Sequence, residues 1–243
     1  MRRLAVALSV VLASGFAFAQ GGVNDLLEGK LVDPKVGQWA WYDLADVASG
    51  NHYVIRQAVV GSEKIGKDTG YWVEFEIVPE VGYRSVFKML LTGPASDPKN
   101  IHRVIRKQGI DAAEEVPREE MKPSADVGGE RPKRESIGSD DVVTPSGVVR
   151  AERTRITKGG QTIDLWINDD VPPTGIVQMR SAQGEMKLRN YGLGGKDAES
   201  VLGQTLPADS KNVRVETQIE EAAPPKKPAK ESRKSKRNDT AKE

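Results

Sequence analysis

Apolar and polar residues alternate with a period of two along much of the stretch from Gln38 to Tyr191, the pattern of strands with a covered side. It is cleanest from Tyr71 to Pro79. There Tyr71, Val73, Phe75 and Ile77 share one side, and Trp72, Glu74 and Glu76 share the other. This predicts a half-buried antiparallel strand whose two glutamates are most simply a solvated surface. Gln38 to Leu44 follows the same rule, with Trp39 and Trp41 on one side and Ala40, Tyr42 and Leu44 opposite. Tyr53 to Val60 is rich in β-branched residues and reads as the next strand, followed by a connection from Gly61 to Gly70. Val81-Gly82-Tyr83 then turns the chain into a strand from Ser85 to Leu91.

The stretch from Val142 to Tyr191 predicts four strands in succession. The first ends at Thr157 before Lys158-Gly159-Gly160, a two-residue hairpin signal. The second, Thr162 to Asn168, places Ile163, Leu165 and Ile167 on one side and Asp164 and Trp166 on the other, as a central strand covered on both faces would. Two shorter runs follow, joined at Gln183-Gly184. Helical signals are few. Asn24 to Glu28 is too short to hold without tertiary contacts. Asp97-Pro98 reads as a helix start, with Ile101, Val104 and Ile105 on one helical face and Gly109 at the C-terminal end. The alternation Ile101, Arg103, Ile105 leaves a strand open there. Asp197 to Leu206 reads as a small helix, and Val213-Arg214-Val215 as a last edge strand. The predicted class is mainly β: an antiparallel open half-barrel or curved sheet with one or two short helices.

Composition sets the boundaries. Met1-Arg2-Arg3, an apolar run from Leu4 too short to span a membrane, and Ala17-Phe18-Ala19 together read as a cleaved signal peptide over residues 1–19. No cysteine is present. Lipidation at the cleavage point and disulfide bonds are therefore both excluded, and the expected location is periplasmic or secreted with no transmembrane segment. Residues 20–220 are long enough for one β-rich domain stabilised by its own core. Within it, residues of about 114–137 are rich in acids and prolines and poor in large apolar groups, which predicts a mobile acidic loop between two halves of one sheet. Residues 221–243 hold eight Lys and Arg against four Asp and Glu and no core-forming residue, so they read as a disordered basic tail on an acidic body.

Candidate chemistry is sparse. Two histidines and no cysteine make a metal site improbable, and no nucleophile motif is present. Asp164, Asp169 and Asp170 are the candidates for paired carboxylates or a calcium site, but they lack the spacing of a calcium loop and read more simply as acids at a hairpin end. The expectation is that the protein is not an enzyme and takes no cofactor. The acidic body and the absence of aromatic residues among the tail's cations argue against nucleic acid. The four tryptophans, Trp39, Trp41, Trp72 and Trp166, all fall on predicted strands. They are the candidate ligand-binding residues if a curved sheet encloses an apolar ligand; a plain core with a few surface tryptophans remains the alternative. Lys226, Lys227, Arg233, Lys234, Lys236 and Arg237 are the candidate contacts to an anionic component of the cell envelope.

The succession Thr144-Pro145-Ser146-Gly147, Leu165-Trp166-Ile167, Val171-Pro172 and Gly175-Ile176-Val177, with Gly61 and Phe87-Lys88-Met89-Leu90 before it, resembles uncharacterised exported bacterial β-proteins. Those in turn are similar to the periplasmic lipoprotein-carrier (Lol-type) half-barrel group. The resemblance spans Gln38 to Tyr191. It implies an open antiparallel half-barrel around helices and a soluble exported protein that binds a lipid-like or other apolar ligand without catalysis. The alternative is an envelope interaction or scaffold protein that works through its tail.

Overall fold

Within each half of the sheet the alternating stretches pair in sequence order, each strand turning back on the one before it. The computed structural model describes residues 31–47, 49–95, 97–117 and 132–202, all within one compact unit. The strands are β1 (Gln38–Asp46), β2 (His52–Ile65), β3 (Asp68–Pro79), β4 (Ser85–Leu91), β5 (Ile101–Gln108), β6 (Glu114–Glu115), β7 (Lys133–Thr144), β8 (Gly147–Lys158), β9 (Gln161–Ile167), β10 (Ile176–Ser181) and β11 (Gly184–Leu193). They form one unclosed antiparallel sheet of eleven strands, ordered β6-β5-β4-β3-β2-β1-β11-β10-β9-β8-β7. Two meanders, β1 to β6 and β7 to β11, thus meet where β1 pairs with β11, Tyr42 opposite Leu188 and Leu44 opposite Met186. Two single 3₁₀ turns, Pro98–Asn100 and Lys196–Ala198, are the helical elements among the described residues.

Several expectations are corrected. Asp97 does cap a helical turn and Pro98 does open it, but the turn ends at Asn100 and Ile101–Gln108 is strand β5. Pairing with β4, Val104 opposite Met89, overrides the helical spacing of the isoleucines. The connection from Gly61 to Gly70 is mostly sheet: a bulge between Val59 and Gly61 carries β2 on to a tight turn that closes at Ile65 opposite Asp68. The acidic segment is not all loop, since Glu114 and Glu115 form β6 against β5, and Lys133 to Ile137 begin β7. The signal peptide, the Asn24–Glu28 helix, the insert 118–131, the Val213–Val215 strand and the basic tail lie outside the described residues.

Residues opposite one another in register share a face, which sorts the sheet into two sides. One is apolar: Tyr42, Leu44, Ile55, Phe75, Met89 and Val104 continue through Leu188, Met186, Met179 and Leu165. These residues belong to one buried cluster. The β9–β10 connection folds onto this face, burying Val171 completely and bringing the Thr174 hydroxyl to donate to Gln57 Oε1 at 3.0 Å. Residue 32 fastens it from the other side, through Val32 N–H to the Pro173 carbonyl at 2.8 Å.

Candidate functional site on the polar face

All four tryptophans lie on the opposite face. Trp41 stands across from Arg56, Arg56 from Glu76, and Trp72 shares that side of β3. Asp43, two residues from Trp41, leads through Lys187 and Gln178 to Trp166. Trp72, Glu74 and Glu76 do share a side, as the alternation predicts, but that side is not solvated.

The centre of the face is a buried ion network. Arg56 is 1% exposed, Glu74 0% and Glu76 4%. The Arg56 guanidinium donates to Glu74 at 2.5 Å and to Glu76 at 3.0 Å, and Arg84 reaches the other oxygen of Glu76 at 2.6 Å. Arg56 also donates to the Asp197 and Glu199 carbonyls at 2.7 and 3.1 Å. These two residues belong to a strap, residues 194–202, that follows β11 and crosses β1, β2 and β3. Ser200 and the Val201 N–H donate to Glu74 from the same strap. A cation inside a sheet is tolerable only when its donors are all matched, and here the strap completes the matching.

The tryptophans are held by the protein itself. The Trp39 indole N–H donates to the Gly194 carbonyl at 2.8 Å and that of Trp41 to Asp197 at 3.0 Å, so both grip the strap. Trp72 donates to Glu63 and stacks beneath Lys88 and Arg103, whose charges lie 5.2 and 5.3 Å from its ring. Trp166 donates to Asp140 and lies between Arg153 and Arg180, at 4.9 and 5.7 Å. The Trp39 ring covers Gly192 so closely that a Cβ there would stand 2.7 Å from it. Gly192→Ala is therefore expected to displace the ring and destabilise the protein by about 1–3 kcal/mol, read as a lowered urea midpoint with a changed tryptophan emission.

The acids considered for chemistry do not gather. Asp164 is bound by Arg155 at 2.7 Å and Arg153 at 2.6 Å, while Asp169 and Asp170 sit exposed in the turn beyond β9. Among the described residues no cluster of three His, Asp or Glu is placed to hold a metal ion. His102 is engaged with the Thr92 hydroxyl at 2.9 Å, and His52 begins β2 as an exposed residue. The hydrogen bonds from Arg155, with those of Arg153, hold the Asp164 carboxyl down at about 2. A carboxylate lowered in the folded state contributes stability above its unfolded value near 4 and loses it as pH falls through its folded value. Between pH 4 and pH 2 the wild type should therefore lose stability relative to Asp164→Asn, whose side chain does not titrate; acid unfolding followed by circular dichroism measures this.

Two polar groups on the apolar face were not singled out in the sequence. Gln57 Nε2 is fully buried without a hydrogen-bond partner among the described residues, and the fully buried Tyr42 hydroxyl has at most the neighbouring Thr174 side chain, which itself donates to Gln57 Oε1. Burial pushes the Tyr42 phenol well above its usual range. The sequence signal was a single Gln in the apolar run of β2, beside a tyrosine on the apolar side of β1.

The chain matches no protein-family model and no curated protein. Among solved structures it is similar to a protein described as exported, with a YmcC-like fold, from Bacteroides fragilis, at 10% identity and a TM-score of 0.34 over 68% of this chain and 99% of that one. A protein described as a lipoprotein, from Parabacteroides distasonis, matches over the same shares at 10% identity and a TM-score of 0.36. Likenesses of that size establish no common function.

Proposed function

We propose that this chain is an exported, non-enzymatic protein of the cell envelope, its sheet a scaffold and its basic tail the contact to anionic partners. The signal-like N-terminus supports export. One observation carries the scaffold reading: all four indole N–H groups are bonded to the protein's own Gly194, Asp197, Glu63 and Asp140. Engaged in this way, the indoles lock strands and strap together instead of receiving a ligand. Lys226, Lys227, Arg233, Lys234, Lys236 and Arg237 supply the positive charge for a polyanionic surface. Deleting residues 222–243 should abolish co-sedimentation with isolated envelope fragments at low salt; association equal to that of the full chain would sink the proposal.

A second reading, binding of a lipid-like or other apolar ligand, is favoured by Tyr42 and Gln57. The unpaired Gln57 amide beneath the β9–β10 connection, with the Tyr42 hydroxyl beside it, suits the carbonyl or carboxylate oxygen of such a ligand. Native mass spectrometry of protein purified gently from its own compartment tests it: an extra mass absent after refolding supports the reading, and bare protein in both samples counts against it.

A further inference from the structure

The strap of residues 194–202 meets the sheet as a bound peptide would. It adds no strand of its own, and β1, β2 and β3 hold it with side chains directed mostly at its backbone. Trp39 donates to the Gly194 carbonyl, and Arg56 to the carbonyls of Asp197 and Glu199. Glu74 accepts from the Val201 N–H at 2.9 Å and from the Ser200 hydroxyl at 2.5 Å, while Trp41 donates to the Asp197 carboxylate. Val201 is the one buried residue of the strap, and it is not a member of the apolar core cluster. Gly194 and Gly195 join the strap to β11, both at positive φ and with nothing within 4 Å of where a Cβ would stand. Water can take over the guanidinium, the carboxylate and the two indole N–H groups when the strap leaves. Contacts of so polar a kind belong to reversible interfaces and not to permanent cores.

We infer that this face of β1, β2 and β3 is a peptide-recognition site and that the strap is its resident occupant. The partner it fits is a protein presenting a short accessible segment with the strap's own pattern. That pattern is an acid for Trp41, a Ser or Thr three residues on for Glu74, and a small apolar residue directly after it, as in Asp197, Ser200 and Val201. Arg56 takes two backbone carbonyls, which any such segment offers. Selectivity comes from the other groups. Glu74 meets only donors and the Trp41 N–H only an acceptor, so a segment without the hydroxyl or the acid leaves one of them unmatched. Neither the envelope scaffold role nor the basic tail is needed for this site. Tethering gives the strap a local concentration on the order of millimolar, so a partner gains the site once the strap is released.

Ser200→Asp with Val201→Pro, made in the full chain, removes both donors to Glu74 and sets a like charge against it, which opens the strap. The probe is a synthetic, end-blocked peptide of residues 194–202 carrying a fluorophore, read by anisotropy. The opened chain is expected to bind it roughly tenfold more tightly than the wild type, whose own strap competes. Peptides with Asp197→Ala or Ser200→Ala should bind roughly tenfold more weakly. In the opened chain, Trp41→Phe should weaken the parent peptide by a similar factor and the Asp197→Ala peptide no further, the mark of one shared hydrogen bond. An opened chain with native circular dichroism that leaves the peptide unbound, or takes a scrambled one equally well, overturns the site. A wild type that dimerises with concentration, beside an opened chain that does not, would give the site to the strap of a second copy and overturn a separate partner. Should the opened chain fail to fold, amide exchange in the wild type decides. Val201 is expected to exchange roughly a hundredfold faster than the β1–β11 midline. Equal protection would mean that the strap leaves only with global unfolding, and would overturn the site.

Discussion

Arg56→Ala is expected to destabilise the protein by about 3–5 kcal/mol, the range for removing one partner of a buried ion pair. The substitution leaves Glu74 and Glu76 facing each other across a side of the sheet that water does not reach, and takes the donor from two strap carbonyls. Arg56→Lys should rescue little. One ammonium cannot place separate N–H groups on Glu74, Glu76, Asp197 and Glu199, as the guanidinium fork does. The informative comparison is Arg56→Met combined with Glu74→Leu and Glu76→Leu, which removes the charges together and should lose less than the single substitution. Equilibrium urea unfolding followed by circular dichroism reads all three. An Arg56→Ala protein within about 1 kcal/mol of wild type would show that the network does not hold the strap.

Trp166→Ala is the second large effect, expected at about 3–5 kcal/mol. The side chain is 5% exposed, and its loss leaves both a cavity and two arginines, Arg153 and Arg180, without the ring between them. Trp166→Phe separates the contributions. It keeps an aromatic face for the cations and forfeits the hydrogen bond to Asp140, so it should cost about 1 kcal/mol from that bond, with some further loss of packing. If Trp166→Ala were to retain near-native stability, this ring would not be part of the sheet's packing.

The strands were legible because each writes its own alternation. Tyr71 to Ile77 announces two sides, and Lys158-Gly159-Gly160-Gln161 announces a hairpin that closes where expected, Lys158 opposite Gln161. The division into two halves around an acidic segment was readable too, although the ends of that segment join the sheet. What alternation leaves open is whether the second side is covered. Glu74 is held by a strap more than a hundred residues later and Glu76 by Arg56 and Arg84 from neighbouring segments, and no local pattern reports that. Arg56 carried a faint signal, a lone cation within Val54-Ile55-Arg56-Gln57-Ala58, next to a strand with two acids two residues apart. At Ile101 to Gln108 local spacing favoured a helix, and the choice fell to a neighbour, β4, which offers backbone partners along its length. The tryptophans were placed on strands correctly, but their common face follows only from the register of strands distant in sequence.

The order of strands has a consequence for how the chain assembles. Both outer edges of the sheet come from the middle of the sequence, and its midline, β1 beside β11, joins segments about 150 residues apart. Each meander can zip up hairpin by hairpin at small entropic expense, whereas the midline must await the last strand and close the longest loop in the fold. A chain that emerges N-terminus first therefore carries the open flank of β1, with Tyr42 and Leu44 behind it, until β11 arrives. During that interval the molecule is most exposed to pairing with the wrong strand.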